Sequence, residues 1–168
     1  MIPNLEAALD LRVSRIGHGL GLGIGDAVES GVSSELLRRY AEQGIHVEVC
    51  LTGNVTPSRA PSYAAHPIRA MLAAGVRISL SSDNLTLSGD GAIVGGGTYP
   101  AECGYMYAHP SGEVAHAVAD CGVGWNAVRG MLLNGARASF SGDATPEFMR
   151  AFEAAIDAVL ADYSGTPA

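Results

Sequence analysis

Ile45-His46-Val47-Glu48-Val49-Cys50, a loop holding Pro57 and Pro61, the stretch His66 to Ala74, and Val76-Arg77-Ile78-Ser79-Leu80 together decide the fold. The two apolar runs are short and rich in β-branched residues, as buried strands are. Between them, Pro67 stands at a first-turn position and Gly75 at an end, so His66 to Ala74 is predicted to be a helix. Toward the N-terminus, Ser33 or Ser34 is a cap for a helix through Leu36, Leu37 and Tyr40, with Gly44 just beyond its end. Before it, Val13-Ser14-Arg15-Ile16-Gly17-His18 is another short strand, followed by a glycine-rich loop from Gly19 to Gly25. Asn4 is a candidate cap for a short helix from Leu5 to Leu9. Strand, helix, strand, helix, strand alternate with short connections, which is the pattern of parallel βα units. Polar residues collect just after each strand: His18, then Thr52 and Asn54, then Asp83 and Asn84. In parallel α/β folds the chemistry sits at those carboxyl ends.

After Asp83 the pattern changes. Gly89 to Gly97 has no helical period, whereas Glu102 to Ala108, Val114 to Ala119 and Trp125 to Phe140 read as helices. A last helix is predicted over Pro146 to Tyr163, with Thr145 as N-cap and Pro146 at its first position. Its Phe148, Phe152, Ala155, Ile156 and Val159 recur at spacings of three and four, so one face is apolar. Ser164 to Ala168 reads as a frayed tail. The sequence shows no internal repeat or linker, so the 168 residues are expected to form one domain.

Composition narrows the function classes. Hydrophobic residues make up 48% of the chain, charged residues 16%, and mean hydropathy is +0.19. With aromatics at only 6%, Ala, Val, Leu and Ile must supply most of the core. The formal charge of −7, with scattered Lys and Arg, argues against a nucleic-acid partner. No stretch approaches the roughly 20 apolar residues of a membrane span. The opening Met1-Ile2-Pro3-Asn4 has no signal-peptide character. The three cysteines, Cys50, Cys103 and Cys121, are odd in number and form no CxxC, so reduced thiols in a cytoplasmic chain are expected.

Arg15-Ile16-Gly17-His18-Gly19 resembles the RIGHG signature of the adenosine/AMP deaminase family. Glu48-Val49-Cys50-Leu51-Thr52-Gly53-Asn54 resembles its E-x-C-P-T-S-N segment, His66-Pro67-Ile68 its HPI helix start, and Ser82-Asp83-Asn84 its (S/T)-D-D or (S/T)-D-N motif. Asn134 with Ala138-Ser139-Phe140 resembles its late N-x-x-x-S-F helix. The pieces fall in the family's order and cover about residues 5–140. Within the family the chain is most similar to adenosine deaminases.

The resemblance implies a (β/α)₈ barrel holding one zinc ion and hydrolysing the amino group from a purine nucleoside. This chain would then be a partial TIM barrel, about the last three βα units, with a helical C-terminal extension. Asp83 matches the family's aspartate zinc ligand, which also holds the attacking water; two acceptor oxygens suit both tasks. Taken alone, Asp83 reads as a turn cap after a strand, where Asx turns are common. His18 matches the histidine beside the metal-bound water, where an imidazole can hydrogen-bond the nucleophile. Taken alone, it is a satisfied histidine at a strand end. Asn84 stands where many members have a second aspartate against the purine ring, and its amide can still donate and accept. Gly53 lies in the substrate-side loop and, like Leu51, departs from the family's usual residue, which bears on the loop's shape.

Other candidates read blandly. The alternating glycines from Gly17 to Gly25 do not fit GxGxxG, since the last required glycine falls on Leu22, Ile24 or Asp26, and a mobile loop is expected. His109 and His116 are expected on the surface, and His46 as a packing residue beside Glu48. The family's HxH pair and HxxE segment have no counterpart in the chain, and the resemblance places them upstream of Met1. Zinc takes about three or four protein ligands at a catalytic site, and a whole barrel needs about 250 residues. Three parallel strands would also leave two edges unpaired. Three readings follow: half of a deaminase completed by a second polypeptide or by self-association, a non-catalytic binding module, or a gene fragment.

Overall fold

A computed structural model describes residues 2–23, 33–55, 59–83 and 110–163. Asn84, Cys103, His109 and the expected helix at Glu102 to Ala108 lie outside these residues, as does the tail after Tyr163. The described chain is α/β, built on a three-stranded parallel sheet in the order β1-β2-β3. β1 is Arg15–Gly17, β2 is His46–Val49 and β3 is Arg77–Leu80. Arg15 stands opposite His46, and His46 opposite Arg77, so the strands start level, and β1 ends one residue before β2 and β3.

Helix α1 is Ile2–Asp10 and precedes β1; α2, Ser33–Gln43, joins β1 to β2. A single turn, α3 (Leu51–Asn54), follows β2, and α4 (Ile68–Ala73) leads into β3. The C-terminal helices are α5 (Pro110–Ala119), α6 (Trp125–Arg137) and α7 (Pro146–Tyr163). Gly44 and Gly75 end α2 and α4 at φ +66° and +79°, the left-handed geometry expected of a residue just past a helix.

The core lies between the sheet and these helices. Val47, Val49 and Ile78 are sealed from solvent, together with Leu36 and Tyr40 of α2 and Ile68 and Met71 of α4. Burial of a Leu- or Ile-sized side chain contributes on the order of 2 kcal/mol, so these alternating strand positions dominate the fold's stability. The Tyr40 hydroxyl donates to the Leu5 carbonyl at 3.0 Å and thereby ties α2 to α1. On the other side α6 packs on β3, and its Asn134 amide donates to the Ile78 carbonyl at 3.3 Å.

Several element ends differ from expectation, each for a visible reason. α1 begins at Ile2, so Asn4 lies inside the helix rather than capping it; Pro3, with its fixed φ, fits the first turn. α4 begins at Ile68 because His66 and Pro67 form its lead-in. α6 ends at Arg137, short of Phe140. There the Arg15 guanidinium takes the Ala138 carbonyl at 2.7 Å and lies 3.7 Å over the Phe140 ring, which turns the chain off the helix axis. α7 matches its predicted span, and Thr145 caps it by accepting the Phe148 N–H at 3.2 Å. Its apolar face is only partly covered: Ile156 is buried, while Phe148 and Val159 stay exposed. Arg129 of α6 holds α7 through Glu153 and Asp157.

Candidate functional site

Parallel strands in near register bring the segments after β1, β2 and β3 to one edge of the sheet. His18 follows β1 directly, in a left-handed conformation (φ 61°), and its N–H bonds the Glu48 carbonyl at 2.7 Å. That positive φ, unusual for a residue with a Cβ, turns the imidazole out of the strand line and toward the segment after β2. There its Nδ1 lies 2.8 Å from the Asn54 side-chain amide. The other end of the same amide lies 3.0 Å from His66 Nε2. Asn54 and His66 are buried, and His18 is half-buried.

Asp83 reaches the edge from the end of β3 and is exposed. Gly53 is packed against it: a Cβ on Gly53 would stand 2.6 Å from Asp83 Oδ2. Glycine at this position therefore makes room for the carboxylate, a role that its departure from the family's usual residue hinted at without specifying. β2 lies between β1 and β3, so His18 and Asp83 sit on strands two places apart, about 10 Å at ordinary strand spacing. The loop after β2 spans the gap, with Asn54 on one side and Gly53 on the other.

One component was not foreseen. Glu113 of α5 is fully buried and accepts the N–H of Leu51 at 2.5 Å and of Thr52 at 3.2 Å. These are orphan donors at the start of α3, which explains why a stretch read as loop closes into a helical turn. Burial pushes the Glu113 carboxyl up, and the N–H bonds from Thr52 and Leu51 pull it partway back. A lone Glu within a helical stretch carries no sequence signal for a contact 62 residues away.

The remaining motif residues hold the frame. Arg15 of β1 pairs with Glu48 of β2 at 3.0 Å as well as binding Ala138 and Phe140. His46 is buried between strands with Nε2 2.8 Å from Ser79 Oγ, and desolvation lowers its pKa. His116 is not the surface residue expected: it stacks on Tyr63 at 4.1 Å and contacts Asp120 at 2.6 Å. Cys50 and Cys121 are free, buried thiols. Burial pushes both up to about 12, so both rest as neutral thiols at neutral pH.

Among the described residues no group of three His, Cys, Asp or Glu side chains could hold a metal ion. Asp83 and His18 do not make a zinc site by themselves. Among the described residues no helix is long and apolar enough to cross a membrane.

His66 makes the site's assembly sensitive to acid. Burial drives its pKa down from 6.5 to about 4. A depressed folded value means that the unfolded chain takes up a proton first as pH falls. Stability is thus full above pH 6.5 and is lost between 6.5 and about 4. The expected loss is about 3 kcal/mol over that window. Urea unfolding of the chain and of His66→Gln at matched pH checks it: the variant should lack this slope while sharing the background acid sensitivity.

The parallel βα sheet thus gathers a histidine, an asparagine and an aspartate at its carboxyl edge, the place where βα-barrel folds carry their chemistry. A family model for adenosine deaminase matches residues 4–93, and the chain belongs to that family. It is 43% identical over 82 residues to the adenine deaminase of Chelativorans sp. (strain BNC1), a match covering 48% of this chain and 23% of that protein. It is 38% identical over 87 residues to the adenosine deaminase of Plasmodium knowlesi, covering 49% and 22%. The crystal structure of an amidohydrolase from Burkhoderia ambifaria, with bound Zn, superposes with a TM-score of 0.65 at 27% identity, covering 96% of this chain and 38% of that one. The chain thus spans less than a quarter of the length of the curated relatives it matches.

Proposed function

We propose that the chain forms the carboxyl-edge portion of a zinc-dependent purine deaminase, corresponding to the last three βα units of a (β/α)₈ barrel with a helical C-terminal extension. The reaction is hydrolytic removal of the amino group from adenosine, or from adenine as in the Chelativorans relative. The observation that carries the reading is the gathering of His18, Asn54, Gly53 and Asp83 at one sheet edge, inside the segment that the family model matches. Asp83 offers a carboxylate as metal ligand and water acceptor. His18 hydrogen-bonds the nucleophile, and Asn84 and Gly53 border the purine. The remaining ligands come from a second polypeptide or from another copy of the chain.

Because the described residues do not make a metal site, the lone chain is expected to be silent. The test is to assay ammonia release from adenosine and from adenine with zinc present, first with the chain alone. The assay is then repeated with a separately expressed polypeptide carrying the family's HxH pair and HxxE segment. Activity only in the mixture supports the reading, and turnover by the chain alone refutes its incompleteness. The lack of three ligating groups among the described residues favours a second reading, a non-catalytic binding module. A mixture that neither retains zinc nor releases ammonia supports that one.

A further inference from the structure

We propose that Asn54 and His66 are positioning residues that lock the His18 imidazole in its Nε2–H tautomer, so that it presents a donor rather than a lone pair at the sheet edge. The hydrogen-bond chain starts at helix α4. Ile68 is its first residue, fully buried, and its N–H is one of the orphan donors of a helix start. It donates to His66 Nδ1 at 3.1 Å. A backbone N–H can only donate, so Nδ1 of His66 is bare. Burial keeps this imidazole neutral at neutral pH, so its single proton sits on Nε2.

His66 Nε2–H must therefore donate to the Asn54 amide 3.0 Å away. With the amide NH₂ facing His66, both His66 nitrogens would be acceptors, which a neutral imidazole cannot satisfy. Turning the amide half a turn about its last bond exchanges oxygen and nitrogen without changing its shape. The carbonyl then accepts from His66, and the NH₂ donates across 2.8 Å to His18 Nδ1. Nδ1 of His18 is thereby bare as well, and its proton is on Nε2. Asn54 is sealed from solvent and His18 is half-buried, and Nε2 lies on the ring edge away from Asn54. The chain Ile68 N–H, His66, Asn54, His18 thus carries one donor direction from a helix start to the site. Under the deaminase reading, on which this role rests, His18 donates to the oxygen nucleophile instead of taking its proton.

Long-range proton–nitrogen NMR correlations on the full chain, labelled with ¹⁵N-histidine, read each tautomer directly. His18→Gln and His66→Gln spectra supply the assignments. At neutral pH both His18 and His66 are expected to show protonated Nε2 and bare Nδ1. Asn54→Asp, which can only accept, should move the His18 proton to Nδ1. Wild-type His18 protonated at Nδ1 would overturn the relay, whatever the variants do. So would a mixture of the two tautomers. The spectra need neither metal nor turnover. A failed relay thus leaves the deaminase reading standing, and a relay found in a chain that no partner activates sinks that reading alone.

Discussion

Replacing Glu113 by alanine is expected to lower the unfolding free energy by about 4 kcal/mol, because it strands one buried and one part-buried backbone donor at roughly 1–3 kcal/mol each. The donors are the N–H groups of Leu51 and Thr52, and Glu113 reaches both from α5. The loss acts where the site is built. α3 is a single turn, and it carries Gly53 and Asn54 between His18 and Asp83. Without its carboxylate cap this turn has little to hold it, since a single helical turn does not sustain itself. Urea unfolding should show a lower midpoint with an unchanged slope. Glu113→Gln keeps one acceptor and the side-chain volume, so it should lose about half as much. Equal stability of the alanine variant and the wild type would mean that water or another acceptor satisfies those donors.

The contrast between Glu113 and the other site residues shows what a sequence can carry. The three strands were legible because buried parallel strands write themselves as short apolar runs. The carboxyl-edge placement of His18, Asn54 and Asp83 then followed from chain order alone. Gly44, Gly75 and Thr145 were legible too, since helix ends impose local residue preferences. Ends set by distant partners were not. α6 stops at Arg137 because Arg15, 123 residues away from Ala138 in sequence, takes the Ala138 carbonyl. α3 exists because of Glu113. His116, expected on the surface, is drawn inward by the face of Tyr63. The purpose of Gly53 needed coordinates, because only they put the Asp83 carboxylate where a Cβ would be. The hydrogen-bond chain from His66 to His18 spans three segments, so motif order exposed its members without their connection.

In the assembly completed by the family's HxH and HxxE segments, Asp83→Ala is expected to lower kcat/KM by at least about 1000-fold, or about 4 kcal/mol of transition-state stabilisation. Asp83 is exposed at the tip of β3, with Gly53 packed against its carboxylate. The substitution should therefore leave the unfolding midpoint of the lone chain nearly unchanged. This separation gives the experiment its force, since a loss of activity without a loss of fold must come from the carboxylate's chemistry. Zinc retained by the assembly should fall with the activity, because removing one ligand leaves an incomplete coordination sphere. Asp83→Asn should lose nearly as much, since an amide keeps the shape but not the negative charge that favours a divalent cation. His18→Gln should lose about 100-fold through missing hydrogen-bond support to the nucleophile, with zinc content unchanged. Asp83→Ala within tenfold of wild type, at unchanged zinc content, would remove Asp83 from the site and leave the gathering at the sheet edge as a frame without chemistry.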